Sequence, residues 1–300
     1  MPLITVLTPT YNRASLLPRL YESLCRQTCK DFEWIVVDDG STDNTQEVLA
    51  QLSTEGNINA KSLHKKNGGK HTAVNLGVKH AKGELSLILD SDDELPTTAI
   101  ADIKKQWNEV KLGSVSQCEK PIGGVCGYMA HRNGDIIGKP MIDTTCDEME
   151  LRYLHGVTGD MCEVFRTDIL RENPFPEISG ERFCPEVLVW NRIAQKYRLK
   201  VFPKMIYIRD YLDGGLTDNI VRIRMRSPIA SMMTYAEMLG YAIPWREKVK
   251  AAVNYYRFRC CYKLTEQNMG IAIPTMPFPY SLAEPLGWLM HVKDQNNKTE

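Results

Sequence analysis

Short apolar runs with little polar alternation punctuate the first third of the chain: residues 3–8 (LITVLT), 32–37 (FEWIVV), a weaker run at 58–64, and 85–89 (LSLIL). Such runs predict strands buried on both faces, as inside a parallel sheet. Helical spacing fills the gaps. Leu16, Leu17, Leu20 and Leu24 share one face, with Ser15 as the expected cap and Pro18 in the first turn. Asn44 and Glu47 have capping-box spacing before a helix to about Leu52, and another is predicted from about His71 to Ala81, closed by Gly83. Strict alternation of strand and helix predicts a parallel sheet with crossover helices.

Past a helix predicted from Thr97 to about Lys111, the pattern changes. Residues 122–132, the turn Asn133-Gly134-Asp135 and Ile136-Ile137 read as a hairpin. Residues 161–166 and 199–208 predict further strands, so the second half is mixed. An amphipathic helix with Glu186 at its start is expected over about 185–197, and two more over about 229–240 and 245–265. Prolines 274, 277, 279 and 285 rule out one long helix in the apolar tail. The expected fold is α/β: a Rossmann-like, mostly parallel central sheet flanked by helices, with a mixed second half. That domain would span 1–225, about 1–110 for nucleotide and 111–225 for acceptor, with a helical, proline-rich extension over 226–300.

Composition narrows the class. With 300 residues, 43% hydrophobic and 25% charged, the chain can bury a sizeable core. Lys+Arg and Asp+Glu both number 37, which argues against a nucleic-acid partner. Nine cysteines without a CxxC pair read as reduced thiols. The N-terminus lacks signal-peptide character, and no uncharged apolar run nears the roughly 20 residues of a membrane span. A soluble, cytoplasmic protein is expected.

The candidate chemistry lies where strands end in acids. Residues 85–89 stop in Asp90, Ser91, Asp92 and Asp93; residues 32–37 stop in Asp38 and Asp39. Ligands of open α/β sheets bind beyond the carboxyl ends of strands. Strand alternation would send Asp90 and Asp92 to one side, a pairing that calls for a hard divalent cation, Mg²⁺ or Mn²⁺. Asp38 and Asp39 can accept hydrogen bonds from a base or ribose, Tyr11 offers a ring to stack on, and Lys70 a charge for phosphate. Singly, each has a plain alternative: an acidic turn, a helix entry, a packing ring, a solvated lysine. Together they suit a nucleotide diphosphate carrying a group to be transferred.

The runs TPTYNR, VVDDGSTDNT, NGGKHTAVNLGVKHAKGE and LDSDD, in that order, resemble the inverting family 2 glycosyltransferases of the GT-A fold, of the bacterial surface-polysaccharide type. The resemblance continues more weakly through GERFCPEVLVWNR and YLDGGLTDN. It implies that Pro9, Tyr11 and Asp39 line a uracil pocket with Arg13 and Asp38 beside them. Lys70 and Asn75 would lie near ribose and diphosphate, and Ser91 would join Asp90 in nucleotide-sugar binding. Asp92, with Asp90 and Asp93, would hold the metal. The family's base register falls on Glu186, with Trp190 and Arg192 after it and Pro185 where the family has Glu; Asp160 is the reserve.

The implied reaction moves a hexose or N-acetylhexosamine from a UDP-sugar to a saccharide or lipid-linked saccharide hydroxyl in one metal-assisted displacement. Residues 213–217 would close over the diphosphate, with Arg209 or Arg222 near. The other readings are a sugar nucleotidyltransferase, an aspartyl phosphatase or a non-catalytic sugar-nucleotide-binding protein. For the first, the loop after the first strand lacks glycine; for the second, Glu94 stands where Thr or Val is wanted. The apolar tail would cover the catalytic domain, form a homodimer contact, or bring the enzyme to the inner membrane face as a peripheral protein.

Overall fold

The computed structural model describes residues 2–113, 120–140, 142–209, 219–263 and 270–296. The chain separates into two compact units, Met1–Pro174 with Arg192–Tyr211, and Phe175–Asn191 with Leu212–Glu300.

The first unit is built on an eight-stranded sheet. Its opening half is β1 (Ile4–Thr10), α1 (Leu17–Cys25), β2 (Phe32–Asp38), α2 (Thr45–Thr54), β3 (Ala60–His64), α3 (Lys70–His80) and β4 (Leu85–Ile88). These four strands are all parallel, with β1 between β2 and β4 and β3 outside β2. Every residue of β1 and β2 is buried. The pleat divides them: Ile4, Val6, Trp34 and Val36 join Leu17, Leu20 and Leu24 of α1 in one core. On the other face α3 lies so close to β1 that a Cβ on Gly77 would meet Leu7 Cδ1 at 2.0 Å.

After α4 (Ala99–Lys111) come β5 (Ile122–Ala130), β6 (Thr144–Cys146), a π-helical turn at Glu150–Leu154, β7 (Met161–Arg166), α5 (Thr167–Glu172), α6 (Glu186–Ala194) and β8 (Arg198–Ile208). The sheet order is β3-β2-β1-β4-β7-β5-β8-β6. β7 is antiparallel to β4 and β5, whereas β8 is parallel to β5, so the second half is mixed as expected.

Local expectations fared unevenly. Pro18 does sit in the first turn of α1, yet neither Ser15 nor Asn44 caps a helix with its side chain. Asp43 takes over at α2: its Oδ1 accepts from Thr45 N at 3.1 Å and Thr45 Oγ1 at 2.6 Å. The Asn133-Gly134 turn forms, with Gly134 in the left-handed region at φ 91°, but its return arm is reduced to one bridge, Ala130 to Ile136. β5 finds its partners in β7 and β8 instead.

In the second unit the described elements include α7 (Ile220–Arg226), α8 (Pro228–Met238), α9 (Trp245–Arg259), a 3₁₀ turn at Tyr280–Ala283 and α10 (Glu284–Asn296). The core here gathers Met225, Met232, Ala252, Tyr255, Tyr256 and Phe258 with Met276 and Ala283. Buried Glu181 holds the start of α8, accepting from Ile229 N at 2.6 Å and Ala230 N at 2.9 Å. Arg257 forks onto both oxygens of Asp294 at 2.6 and 2.7 Å, tying α10 to α9. Pro285 stands in the first turn of α10, where a missing N–H costs nothing.

Candidate active site

The site is assembled where β1, β2 and β4 end on the same edge of the sheet. Thr10 pairs with Asp38 in the last register position, and Asp39 N continues to Thr10 O at 2.8 Å. The chain then turns at Asn12, which adopts φ 52°, a left-handed conformation that Asn tolerates better than most residues. Its amide carbonyl accepts from Thr42 N and its own N–H donates to Ser41 Oγ, both at 2.8 Å. This clasp between the two loops leaves the Tyr11 ring 44% exposed.

Asp38 and Asp39 are both buried but play different parts. Asp38 is a turn anchor: Oδ1 accepts from Ser41 N at 2.9 Å and Oδ2 meets His64 Nδ1 at 2.9 Å. Asp39 organises the loop ahead of α3. Its Oδ1 accepts from Lys65 Nζ at 2.7 Å and Gly68 N at 3.0 Å, and its Oδ2 from Gly69 N at 2.7 Å. A carboxylate offers about four acceptor positions, so one remains on Oδ2. Lys65 also reaches Thr72 Oγ1 at 2.7 Å. Asn75, on the same helix, is buried.

The strand in front of the acids stops at Ile88, before Asp90 is reached, so strand alternation is not what places Asp90 and Asp92 on one side. What brings the acids together is a turn, closed by Asp93 N donating to Asp90 O at 3.1 Å. One oxygen from each of Asp90, Asp92 and Asp93 lies within 4.8 Å of the others. Among the described residues this is the group of carboxylate, imidazole or thiol ligands close enough to hold a metal ion. Ser91 is buried within the turn. Lys70 Nζ approaches Asp90 Oδ1 at 2.5 Å. Burial, then the charge of Asp90, pushes the Asp92 carboxyl above its ordinary value, and Arg13 and Lys70 only partly offset this. The cluster is short of positive charge, and its all-oxygen donors suit a hard divalent cation.

Several supports of this turn carry no local sequence signal. The Tyr207 hydroxyl, fully buried, accepts from Asp90 N at 3.0 Å and donates to Asp93 Oδ2 at 2.7 Å. Burial and the charges of Asp90 and Asp93 hold that phenol well above its usual range. Glu94 bridges to Ile208 through both backbone groups, at 3.0 and 2.9 Å. Its buried carboxylate collects Arg19 at 3.0 Å, Arg26 at 3.4 Å and Arg132. Arg19 also donates to Asp92 O. These partners come from positions as far apart as 19 and 207, and only the folded sheet unites them.

A model of glycosyl transferase family 2 matches residues 5–172. The chain belongs to that family. A Campylobacter jejuni member, GalNAc(5)-diNAcBac-PP-undecaprenol beta-1,3-glucosyltransferase, is 36% identical over 280 residues, covering 89% of this chain and 85% of that one. An uncharacterised glycosyltransferase of Rickettsia felis is 41% identical over 202 residues, but these make up 64% of this family 2 chain and 30% of the relative. Staphylococcus aureus TarS 1-349, solved with UDP-GlcNAc, superposes with a TM-score of 0.60 at 20% identity, covering 88% of this chain and 74% of that one. That likeness shows the shared GT-A fold of the family.

The remaining family 2 positions are placed as follows. Pro9 is buried within β1, and Arg13 follows the Asn12 turn, its N–H donating to Thr45 Oγ1 at 3.2 Å. Asp160, at the entry to β7, is engaged by the guanidinium of Arg209. Glu186, half-exposed, opens α6 in the part of that helix that belongs to the second unit, and Trp190 one turn on meets Phe175 edge to face at 5.6 Å. Arg222 lies on α7. The expected closing loop, 213–217, lies outside the described residues. No described helix is long and apolar enough to cross a membrane.

Proposed function

We propose that the protein transfers a hexose or N-acetylhexosamine from a UDP-sugar to a hydroxyl of a saccharide or lipid-linked saccharide, with inversion at the anomeric carbon. The observation that carries this is the convergence of three carboxylates at the β4 turn beside the Asp39-organised loop. Tyr11 and Pro9 would flank uracil, and the free acceptor position on Asp39 would receive the base N3–H. Lys70, now on Asp90, has a diphosphate as its natural competitor, and Arg13 and Asn75 would complete the ribose and phosphate contacts. Asp90, Asp92 and Asp93 would hold Mn²⁺ or Mg²⁺, which when bound neutralises charge on the departing diphosphate.

Glu186 would take the proton from the acceptor hydroxyl; the support is its register in the family's motif, with Trp190 and Arg192 behind it. General-base help of that kind contributes about 10² to 10⁴ in rate. Asp160 is the weaker candidate, because Arg209 already occupies its carboxylate. The lipid-linked acceptor class draws support from the undecaprenol-linked substrate named for the Campylobacter relative. The location would be the cytoplasm or the cytoplasmic face of a membrane.

The test is release of the nucleoside diphosphate from a panel of UDP-sugars and GDP-mannose with Mn²⁺ or EDTA, for wild type, Asp92→Ala and Glu186→Gln. Metal-dependent hydrolysis of one UDP-sugar, lost in Asp92→Ala, is expected. Transfer surviving in Glu186→Gln would move the base to Asp160. Absence of sugar-nucleotide binding by calorimetry with metal present would sink the proposal.

A further inference from the structure

The outer surface of the α9–α10 pair carries more apolar area than a helical face in water normally shows. Ala283 and Gly287 of the 3₁₀ turn and α10 are buried against α9, where a Cβ on Gly287 would come within 2.4 Å of Tyr256 Cβ. Leu282, Leu286 and Leu289 recur at helical spacing and are 69%, 55% and 58% exposed. Phe278 precedes them at 80%, and Trp288 at 58% forms one wall of an open groove of about 880 Å³ with Tyr256 and Arg259. A row of this kind marks an interaction surface.

Charge selects the occupant. The whole chain is neutral, yet between Trp245 and Asn296 it holds seven Lys or Arg against four Asp or Glu. Three of the four acids are taken by cations of the same region: Glu247 by Lys250, Glu284 by Arg259, Asp294 by Arg257. Lys293 continues the leucine row by one further turn. An apolar row with an exposed tryptophan, set among surplus lysine and arginine, is the pattern of a helix lying in the interface of an anionic bilayer. We propose that the α9–α10 face docks on an anionic lipid surface, with Leu282, Leu286 and Leu289 entering the headgroup boundary and the surplus cations meeting lipid phosphate. This rests on the second unit alone, independent of the catalytic reading.

The full chain would be sedimented with vesicles of phosphatidylcholine and of phosphatidylcholine with phosphatidylglycerol. Binding to the anionic vesicles is expected, falling with salt and weakened at least tenfold in a Leu286→Asp, Leu289→Asp variant. Both positions are more than half exposed, so circular dichroism and melting of that variant should match wild type; Lys293→Glu gives a second, milder loss. No binding at millimolar lipid, equal binding to neutral vesicles, or full binding by the double variant would overturn the proposal. So would a wild-type dimer that the double variant dissolves while neither protein binds vesicles, since a second copy would then cover the face.

Discussion

Tyr207 and Asp92 stand for opposite electrostatic situations within one turn. The phenol is satisfied: it accepts from Asp90 N and donates to Asp93. Tyr207→Phe leaves a buried N–H and a carboxylate without their partner, a loss of about 1–3 kcal/mol. It should also weaken Mn²⁺ binding by roughly tenfold, about 1.4 kcal/mol, read by paramagnetic resonance titration; unchanged metal affinity with reduced stability would make the tyrosine merely structural. Asp92 is short of compensating charge. Its raised value means that the folded state binds the proton more readily than the unfolded chain does, so metal-free stability declines as pH rises from the ordinary aspartate value through the raised one. Asp92→Asn should therefore raise the urea midpoint at pH 7 in EDTA, with the advantage shrinking as the solution is acidified. Saturating Mn²⁺ should reverse the order. A variant less stable than wild type in EDTA at pH 7 would contradict the charge deficit. None of this was legible in residues 85–94, where the count of acids was plain but their partners were not. Tyr207 reads as one more apolar position in its strand.

Among the elements, what the hydrophobic pattern foretold follows from how each is covered. β1, β2 and β4 lie mid-sheet, so their apolar runs are continuous and their acidic ends conspicuous. β3 read faintly because it is an edge strand with no buried residue, each being half-exposed or exposed. The hairpin at Asn133-Gly134 forms with only a short return arm because β5 makes its long pairings with strands more than thirty residues away in sequence, a choice that no turn dipeptide records. β6 and α5, only three and six residues long, gave too few periods to read. α10 hid behind its prolines, since Pro285 opens the helix rather than breaking it. Two substitutions probe the connecting pieces. Gly40 has φ 79°, and a Cβ there would stand 2.8 Å from Asn67 N, so Gly40→Ala should displace the loop that Asp39 organises. UDP affinity is expected to fall at least tenfold by calorimetry; wild-type affinity would separate that loop from nucleotide binding. Arg257→Gln breaks a partly buried fork, and a loss of about 3 kcal/mol is reasonable for such a pair. Limited proteolysis should then cut α10 faster, whereas an unchanged digestion rate would show that Gly287 packing alone holds the helix.

For the molecule as a whole, ligand linkage offers a test that needs no acceptor. The UDP–Mn²⁺ complex, taken as one ligand at about a hundred times its dissociation constant, should stabilise the protein by roughly 2.7 kcal/mol. That appears as a higher melting temperature with both present, smaller with UDP alone and abolished in Asp92→Ala; equal shifts with and without metal would remove the carboxylates from nucleotide binding. The same connectivity bears on biosynthesis. β1, β2, β3 and β4 are complete once about ninety residues exist, and the β1–β2 and β2–β3 pairings join neighbours in sequence order. The hydroxyl that fixes the acidic turn arrives 114 to 117 residues later, and β7 must first be inserted beside β4. Long closures of this kind form late. On a ribosome-bound chain the loop that Asp39 organises is therefore synthesised well before the tyrosine that fixes the Asp90–Asp93 turn, so the two halves of the proposed site would be completed at different times.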